Sequence, residues 1–446
     1  MNKSSKLGRM PIPQLVLSMS WPLMVSLLVQ SLYNIVDSVF VAMLSQDALT
    51  ATSLAFPIQI LMIAVSVGTS VGINALLSKS IGAGDTDETG STAATGVLLA
   101  LAGAAVFMLL GLGCTGLFVS LFTQDAAIGT ACREYLWVCM VFCGGTFIGT
   151  MYQRFLQAVG DTVSSMVTLV AGAVTNLVLD PILIFGLGPC PALGVRGAAI
   201  ATVVGQWVTA ALAVWLNTAK NPQVQVHFHG FRLRRAVLLR IYQVGLPTIL
   251  TQAMGSLMVL AVNAILMPVS STCVAFFGVY YKLQNFLFMP MNGLGQAAIP
   301  IAGYNYGAKQ YPRIRALLRF TVPLAAGIAL AASAVFALFP AQLLGIFNAG
   351  DEMLAIGIPA LRTICGTFAL AAVTMILGYT VSGLGNGVVN MLGTALRQVL
   401  LLVPGMYLLA RMGGVGMIWY AFWPAEIVAA VYALLATRRV LKEKNI

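Results

Sequence analysis

Long uninterrupted apolar runs constrain the fold of this chain more than any other feature. Two of them, residues 92–120 and 322–347, exceed the roughly 20 helical residues that cross a hydrocarbon core of about 30 Å. Charged residues make up only 8% of the chain, against roughly 25% in soluble domains. Strict alternation of polar and apolar residues, which is typical of transmembrane barrels, is absent. The sequence therefore predicts an all-α polytopic membrane protein in contact with a lipid bilayer.

Hydropathy predicts twelve transmembrane helices, and the charge of the loops predicts their orientation. Lys and Arg are concentrated at the N-terminus, in the linker 217–240, in the loop around Lys309 and in the C-terminal tail. By the positive-inside rule, both termini face the cytoplasm. The same clustering explains the net charge of +11, so no nucleic-acid partner is expected. The predicted spans are 14–40, 52–79, 92–120, 129–150, 163–187, 194–216, 238–268, 274–300, 317–345, 354–379, 388–411 and 414–437.

The sequence also repeats itself with a constant offset of 225 residues. Coincident prolines and glycines are informative in an apolar chain, because they mark kinks and close backbone approach. The predicted organisation is two six-helix lobes, 1–216 and 241–446, joined by a cytoplasmic, interfacial linker, 217–240. Since each lobe has an even number of spans, a pseudo-two-fold axis along the membrane normal should relate them. The matching positions are Pro22 with Pro247, Gly68 with Gly293, Gly82 with Gly307, and Gly160 with Gly385.

A duplicated helical membrane protein is typical of a transporter and unusual for a membrane enzyme. No HExxH motif is present, and no histidine lies at membrane depth. Residues 68–72, GTSVG, match the letters of GxSxG, but they lie in an apolar run without a histidine as a base and fit close helix packing. The seven cysteines show no metal-binding spacing. We therefore expect no enzymatic activity, no cofactor and no resident metal.

Two aspartates inside apolar runs, Asp37 and Asp180, are the strongest functional candidates. Holding a carboxylate at membrane depth costs about 2.5–3.5 kcal/mol, so such residues tend to be functional. Pro181 follows Asp180 and frees the carbonyl of Leu177, and Asn176 lies one turn earlier on the same helix face. Asn34 stands in a similar position before Asp37. This pattern indicates a site for a proton or another cation, although a fixed hydrogen-bonding strut is the alternative for each aspartate.

The second half lacks this acidic pair, since the offset places Val262 and Gly405 at the corresponding positions. Its own ionisable residues at membrane depth are Glu426, Lys282 and Arg397. Glu426 could be a second coupling site or could pair with Arg397. Ion coupling is therefore expected to be asymmetric between the lobes.

At these residues the chain resembles the multidrug and toxic compound extrusion (MATE) family, and within it the DinF/MepA-like branch. The similar segments are LYNIVDSVFVA (32–42), TNLVLDPILIFGLG (175–188), LGVRGAAIAT (193–202) and PIAGYNYGAKQY (300–311).

The resemblance implies a bacterial inner-membrane antiporter that exports organic, often cationic and amphipathic, compounds in exchange for H⁺ or Na⁺. A monomer is expected. Matching the site residues of similar proteins implies a coupling site of Asp37, Asn176, Asp180, Thr202 and Tyr135, four of which (all but Tyr135) could hold Na⁺. Gln153 stands where the family pattern has an asparagine.

The expected mechanism is alternating access, in which ion binding at the two aspartates lets the first helix bend at Pro22. A flippase for a lipid-linked oligosaccharide is the alternative function, since such proteins share this architecture. That function needs a cationic cavity for phosphate, and Lys282, Arg397 and Arg362 leave it open.

Overall fold

The computed structural model describes residues 3–123, 125–187, 190–226, 233–347 and 349–446, and this part of the chain is almost entirely helical. Helices satisfy every backbone hydrogen bond within one segment, which apolar surroundings require. Within these described ranges, nine helices are long and apolar enough to cross a membrane, and two bent helix pairs meet the same test together. A further helix, Ser271–Gly307, has 37 residues and contains the predicted span 274–300. Residues 227–232 of the predicted linker lie outside the described residues.

The chain forms two compact units that are not contiguous in sequence. Unit 1 comprises residues 1–4 and 25–245, and unit 2 comprises residues 5–24 and 246–446. Each unit has its own apolar core of buried side chains. The division into 1–216, 217–240 and 241–446 was inferred from hydropathy and stays a prediction.

Two long helices, Ile12–Leu44 and Arg235–Leu266, begin in one unit and end in the other. After the short helix α1 (Lys3–Arg9), helix α2 (Ile12–Leu44) starts in unit 2 and continues into unit 1. Helices α3 to α8 belong to unit 1, and α9 then leads from unit 1 into unit 2. Their bounds are α3 (Gln46–Ala83), α4 (Thr86–Phe122), α5 (Ala126–Val141), α6 (Gly144–Ala158), α7 (Thr162–Phe185), α8 (Val195–Lys220) and α9 (Arg235–Leu266).

The rest of unit 2 repeats this order of elements with more interruptions. One π-helical turn, Leu396–Leu400, and one 3₁₀ turn, Trp419–Ala421, break its last two spans. The remaining helices are α10 (Ser271–Gly307), α11 (Tyr311–Leu338), α12 (Pro340–Gly345), α13 (Asp351–Cys365), α14 (Phe368–Gly383), α15 (Gly387–Ala395), α16 (Leu402–Gly413), α17 (Val415–Ile418) and α18 (Phe422–Glu443).

The repeated glycines have identifiable roles. Gly160 and Gly385 both have positive φ, 85° and 89°, in the turns after α6 and α14, a conformation that side chains with a Cβ disfavour. A Cβ on Gly245 would lie 3.1 Å from the carbonyl oxygen of Gly68, and one on Gly293 would lie 3.1 Å from the amide nitrogen of Met24. In each unit the absence of a side chain on a glycine thus allows close packing of the helix that continues into the other unit.

The fourth span of each unit is broken where hydropathy predicts one continuous helix. Helices α5 and α6 meet at 45°, and α13 and α14 meet at 49°. A tryptophan packs on each break: Trp207 Nε1 donates to the carbonyl of Phe142 at 3.1 Å, and Trp423 Nε1 donates to that of Thr363 at 3.0 Å. Glycines at the breaks make room for the indole rings. The bend does not change the hydropathy of the segment, so it could not be predicted from hydropathy.

Polar residues and glycines mark several helix ends. The side chains of Asp85, Asp125 and Asp161 accept hydrogen bonds from the first free amides of α4, α5 and α7. Gly84 and Gly186 end α3 and α7 in the left-handed conformation, with φ of 72° and 74°. Much of the apolar surface of the spans remains exposed, as on α4, where Leu109 is 64% exposed. Such a surface suits a hydrocarbon solvent and not water.

Candidate functional site

The two aspartates predicted from the sequence lie together in unit 1. The side chains of Asp37, on α2, and Asp180, on α7, are within hydrogen-bonding reach of each other. Asp180 is fully buried, whereas Asp37 is partly exposed. Two carboxylates cannot hydrogen-bond to each other unless one of them carries a proton. Two ionised carboxylates at this distance repel each other, and a bound proton or other cation would relieve that repulsion.

Asn176 connects the pair to α8. Its Nδ2 lies 3.3 Å from Asp180 Oδ1, one helical turn away, and 3.4 Å from Thr202 Oγ1. Pro181 directly follows Asp180 inside α7 and cannot donate a hydrogen bond to the carbonyl of Leu177. The site therefore combines carboxylate, amide, hydroxyl and carbonyl oxygens.

Close packing of two helices brings Asn176 and Thr202 together. A Cβ added to Gly205 would lie 2.6 Å from the carbonyl oxygen of Gly172 and 3.1 Å from the Cβ of Asn176. Only a residue without a side chain fits at this crossing of α7 and α8. Thr202 stands one turn before Gly205, so the glycine contact sets its distance from Asn176.

Three oxygen atoms of this group are buried without a hydrogen-bond partner: Asp37 Oδ1, Asp180 Oδ2 and Asn176 Oδ1. Buried acceptors are almost always satisfied in native proteins, and each one left unsatisfied costs free energy. Three of them in one place form a set of oxygen ligands that a proton or a hard cation would complete. Groups of three or more His, Cys, Asp or Glu side chains that could hold a metal do not occur in the described ranges.

Tyr135 borders the acidic pair and brings in residues that the sequence reasoning missed. Its buried hydroxyl accepts a hydrogen bond of 3.3 Å from Gln59 Nε2, which also lies 3.6 Å from Cys139 Sγ. Tyr33, one helical turn before Asp37, and Tyr135 both lie near that carboxyl. Gln59 is a polar residue in the otherwise apolar helix α3, and this exception in the sequence could have indicated that it belongs to the site.

The accessory candidates lie elsewhere. Gln153 Nε2 donates to Thr168 Oγ1 at 3.1 Å, away from the contacts of the acidic pair. The side chain of Asn34 is exposed, and Pro22 is buried in the part of α2 that belongs to unit 2. In unit 2, Glu426 pairs with Arg397, with Oε1 and Nε 3.0 Å apart, and Lys282 is exposed on α10.

Comparison with known proteins agrees with this architecture and extends over nearly the whole chain. The FAD transporter of Shewanella oneidensis is 27% identical over 312 residues, covering 69% of this chain and 68% of that protein. The multidrug export protein MepA of Staphylococcus aureus is 23% identical over 432 residues, covering 95% and 93%. The solved outward-facing structure of a multidrug resistance MATE family transporter of the MOP superfamily covers 100% of this chain and 99% of its own, with a TM-score of 0.92 and 26% identity.

The family model MatE matches the chain twice, over residues 22–182 and 247–408. The two matches start 225 residues apart, which is the offset of the internal repeat, and together they cover well over half of the chain. Their first residues are Pro22 and Pro247, the prolines inside α2 and α9. The chain therefore belongs to the MATE family of membrane transporters, with twelve transmembrane helices in two lobes.

Proposed function

We propose that the chain exports organic, often cationic and amphipathic, compounds in exchange for a cation, and that the cation binds at Asp37 and Asp180. The three buried oxygen atoms without a donor carry this proposal. The name of the relative MepA, a multidrug export protein, supports the substrate class. The proposed cycle is alternating access, with the bilayer as the barrier.

We propose H⁺ as the coupling ion. Two carboxyl groups within hydrogen-bonding reach can share one proton, because one then donates to the other and their like-charge repulsion is removed. Na⁺ bound by Asp37, Asp180, Asn176 and Thr202 is the second possibility, since all four offer oxygen ligands. Neutralising the pair would allow α2 to repack, and Pro22 provides a point at which it can bend.

The test is efflux of ethidium, a fluorescent organic cation, from liposomes that contain the full-length protein. A pH gradient and a sodium gradient are imposed separately. We expect the pH gradient alone to drive efflux in the wild type, and neither gradient to drive it in Asp37→Asn with Asp180→Asn. Full activity of that double variant would refute the coupling role, and efflux driven only by sodium would replace H⁺ by Na⁺.

The control is Asp351→Asn, which removes a carboxylate of the same kind from the exposed first turn of α13. It should transport as the wild type does. We also propose a monomer in the bacterial inner membrane with both termini in the cytoplasm, as the loop charges predict. A fluorescent protein fused to the C-terminus should then fold and fluoresce in the cytoplasm, and a dark fusion would contradict this orientation.

A second candidate is the transport of a phosphate-bearing compound, either a nucleotide-like molecule or the lipid-linked oligosaccharide of a flippase. The specific observation is Lys282, which is exposed at membrane depth and has no hydrogen bond or ion pair with any described residue. The name FAD transporter, borne by one relative, favours the nucleotide-like molecule. Uptake of FAD into inside-out vesicles would support this candidate, and its absence at every gradient would remove it.

A further inference from the structure

The strongest unassigned feature is an ion pair buried in unit 2. Arg397 Nε lies 3.0 Å from Glu426 Oε1, and the two side chains are only 14% and 5% exposed. Both belong to membrane-spanning segments, Arg397 near the middle of residues 387–413 and Glu426 near the middle of residues 415–443. Desolvating two charges costs free energy that a single contact does not fully offset, so such a pair usually has a role beyond packing.

A local irregularity of the helix presents Arg397. The residue lies in the π-helical turn Leu396–Leu400, where the amide of Leu401 bonds to the carbonyl of Leu396 at 3.2 Å. Pro404 has no N–H for the carbonyl of Leu400, so the regular α-helical pattern cannot continue through this point. Single π-helical turns are frequent at functional sites, since they re-aim side chains.

The ion pair occupies only one edge of the guanidinium. Glu426 contacts Nε, and within the described residues Arg397 has no other ion pair and no hydrogen bond. The two terminal nitrogens, with four N–H groups, are left for another partner. Their parallel N–H bonds match the two oxygens of a phosphate or carboxylate.

Glu426 holds Arg397 in place. It is buried, its Oε2 has no hydrogen-bond partner among the described residues, and the buried Tyr280 of α10 lies near the pair. A guanidinium edge exposed at membrane depth requires water or a polar ligand. The carboxylate thus fixes the side chain at Nε and directs its terminal nitrogens away from the pair.

We propose that Arg397 recognises an oxyanion, phosphate or carboxylate, on a transported compound, and that Glu426 is its positioning residue. The inference rests on the proposed export function and adds a substrate class to it. Unit 1 then binds the coupling cation, and unit 2 reads a negative group of the cargo. A purely structural ion pair would stabilise the packing of α18 against the π-helical turn without discriminating between ligands.

The experiment compares riboflavin with riboflavin 5′-phosphate, which share the flavin body and differ by one phosphate. Equilibrium binding to the purified full-length protein in uncharged detergent is followed by flavin fluorescence. We expect the wild type to prefer the phosphate by about tenfold, the size of one bidentate charged contact. Arg397→Gln should lose this preference while still binding riboflavin, because the ratio of affinities does not depend on the folded fraction. Arg411→Gln, which removes an exposed arginine at the end of α16, should keep it.

Three results would overturn the inference. The first is a wild type that binds riboflavin as tightly as its phosphate, a measurement that needs no variant and therefore stands even if Arg397→Gln does not fold. The second is an unchanged preference in Arg397→Gln. The third is loss of the phosphate preference in nanodiscs of phosphatidylglycerol but not of phosphatidylcholine, which would assign the arginine to lipid headgroups.

Because no gradient is applied, this binding assay is independent of ion coupling. Failure here leaves the ethidium experiment, and with it the proposed function, unaffected. Conversely, loss of coupling in the aspartate variants does not change the affinity ratio.

Discussion

Units 1 and 2 share an architecture but hold opposite kinds of polar centre. Both have a broken fourth span covered by a tryptophan, and both have a positive-φ glycine at the same place in the repeat. In unit 1 the polar group is a pair of carboxyls, the partly exposed Asp37 and the buried Asp180, and neither forms an ion pair with a described Lys or Arg. In unit 2 the buried carboxylate of Glu426 has its own cation, Arg397.

The charge of each centre determines whether it can bind a further cation. A centre with an excess of negative charge and unsatisfied oxygens can take up and release a cation, because binding lowers its electrostatic cost. A centre that is already neutral gains nothing from another cation, and protonating its carboxylate would leave the guanidinium unpaired. The internal repeat thus supplies the same helical scaffold twice, with different polar residues on each copy.

The largest expected effect concerns the acidic pair. Asp180→Asn should abolish gradient-driven ethidium efflux, because a neutral amide cannot exchange a proton with Asp37. The folded protein should be as stable as the wild type or more so, since the repulsion within the pair is removed. Efflux in liposomes and thermal unfolding in detergent measure the two quantities. An active or strongly destabilised variant would show that Asp180 is a structural strut.

The opposite outcome is expected in unit 2. Arg397→Met should destabilise the protein by about 3–5 kcal/mol, because it leaves the charge of Glu426 buried and unpaired. Adding Glu426→Leu should restore most of the stability, as replacing both members of a buried pair by apolar residues often does. The free energies of unfolding of the four proteins form a double-mutant cycle. Additive effects would mean that the two residues do not interact in the native protein.

A smaller effect is expected from a glycine that shapes the site in unit 1. Gly205→Ala would push α7 away from α8, since its Cβ would lie 2.6 Å from the carbonyl oxygen of Gly172. We expect a loss of about 1–3 kcal/mol in stability, typical of overpacking, and reduced efflux as Asn176 moves away from Thr202.

The matched control for this change lies in unit 2. At Gly405, which the repeat aligns with Asp180, an added Cβ would meet its nearest atom, the Cβ of Ala421, at 3.4 Å, an ordinary contact. Gly405→Ala should therefore be neutral or stabilising. Equal losses of stability in Gly205→Ala and Gly405→Ala would mean that α7 and α8 are not packed more closely at Gly205 than the helices are at Gly405.

The sequence was sufficient for the features that depend on composition and local spacing. Apolar runs predicted the helices, the offset of 225 predicted the repeat, and the spacing of Asn176 and Asp180 predicted their contact. The MATE family membership inferred from short motifs is confirmed by the match of the family model.

Features that depend on tertiary contact were not predictable in this way. Gln59 and Tyr135 are 76 residues apart in the chain, and only the packing of α3 against α5 brings them together. The break between α5 and α6 leaves hydropathy unchanged, so residues 129–150 read as one helix. The π-helical turn at Arg397 shifts the helix register without altering its composition.

The smallest expected effect tests the likeness of the units instead of their difference. Trp207→Phe and Trp423→Phe each remove one hydrogen bond to a carbonyl at the break of the fourth span, while the aromatic packing is retained. Each bond contributes about 0.5–1.5 kcal/mol, so the two variants should lose similar amounts of stability and keep their transport activity. Thermal unfolding of both proteins in the same detergent measures the losses. A much larger loss for one tryptophan would show that the two breaks, although they occur at matching positions, are held by different forces. The two units would then differ in how their helices are held together as well as in their polar centres.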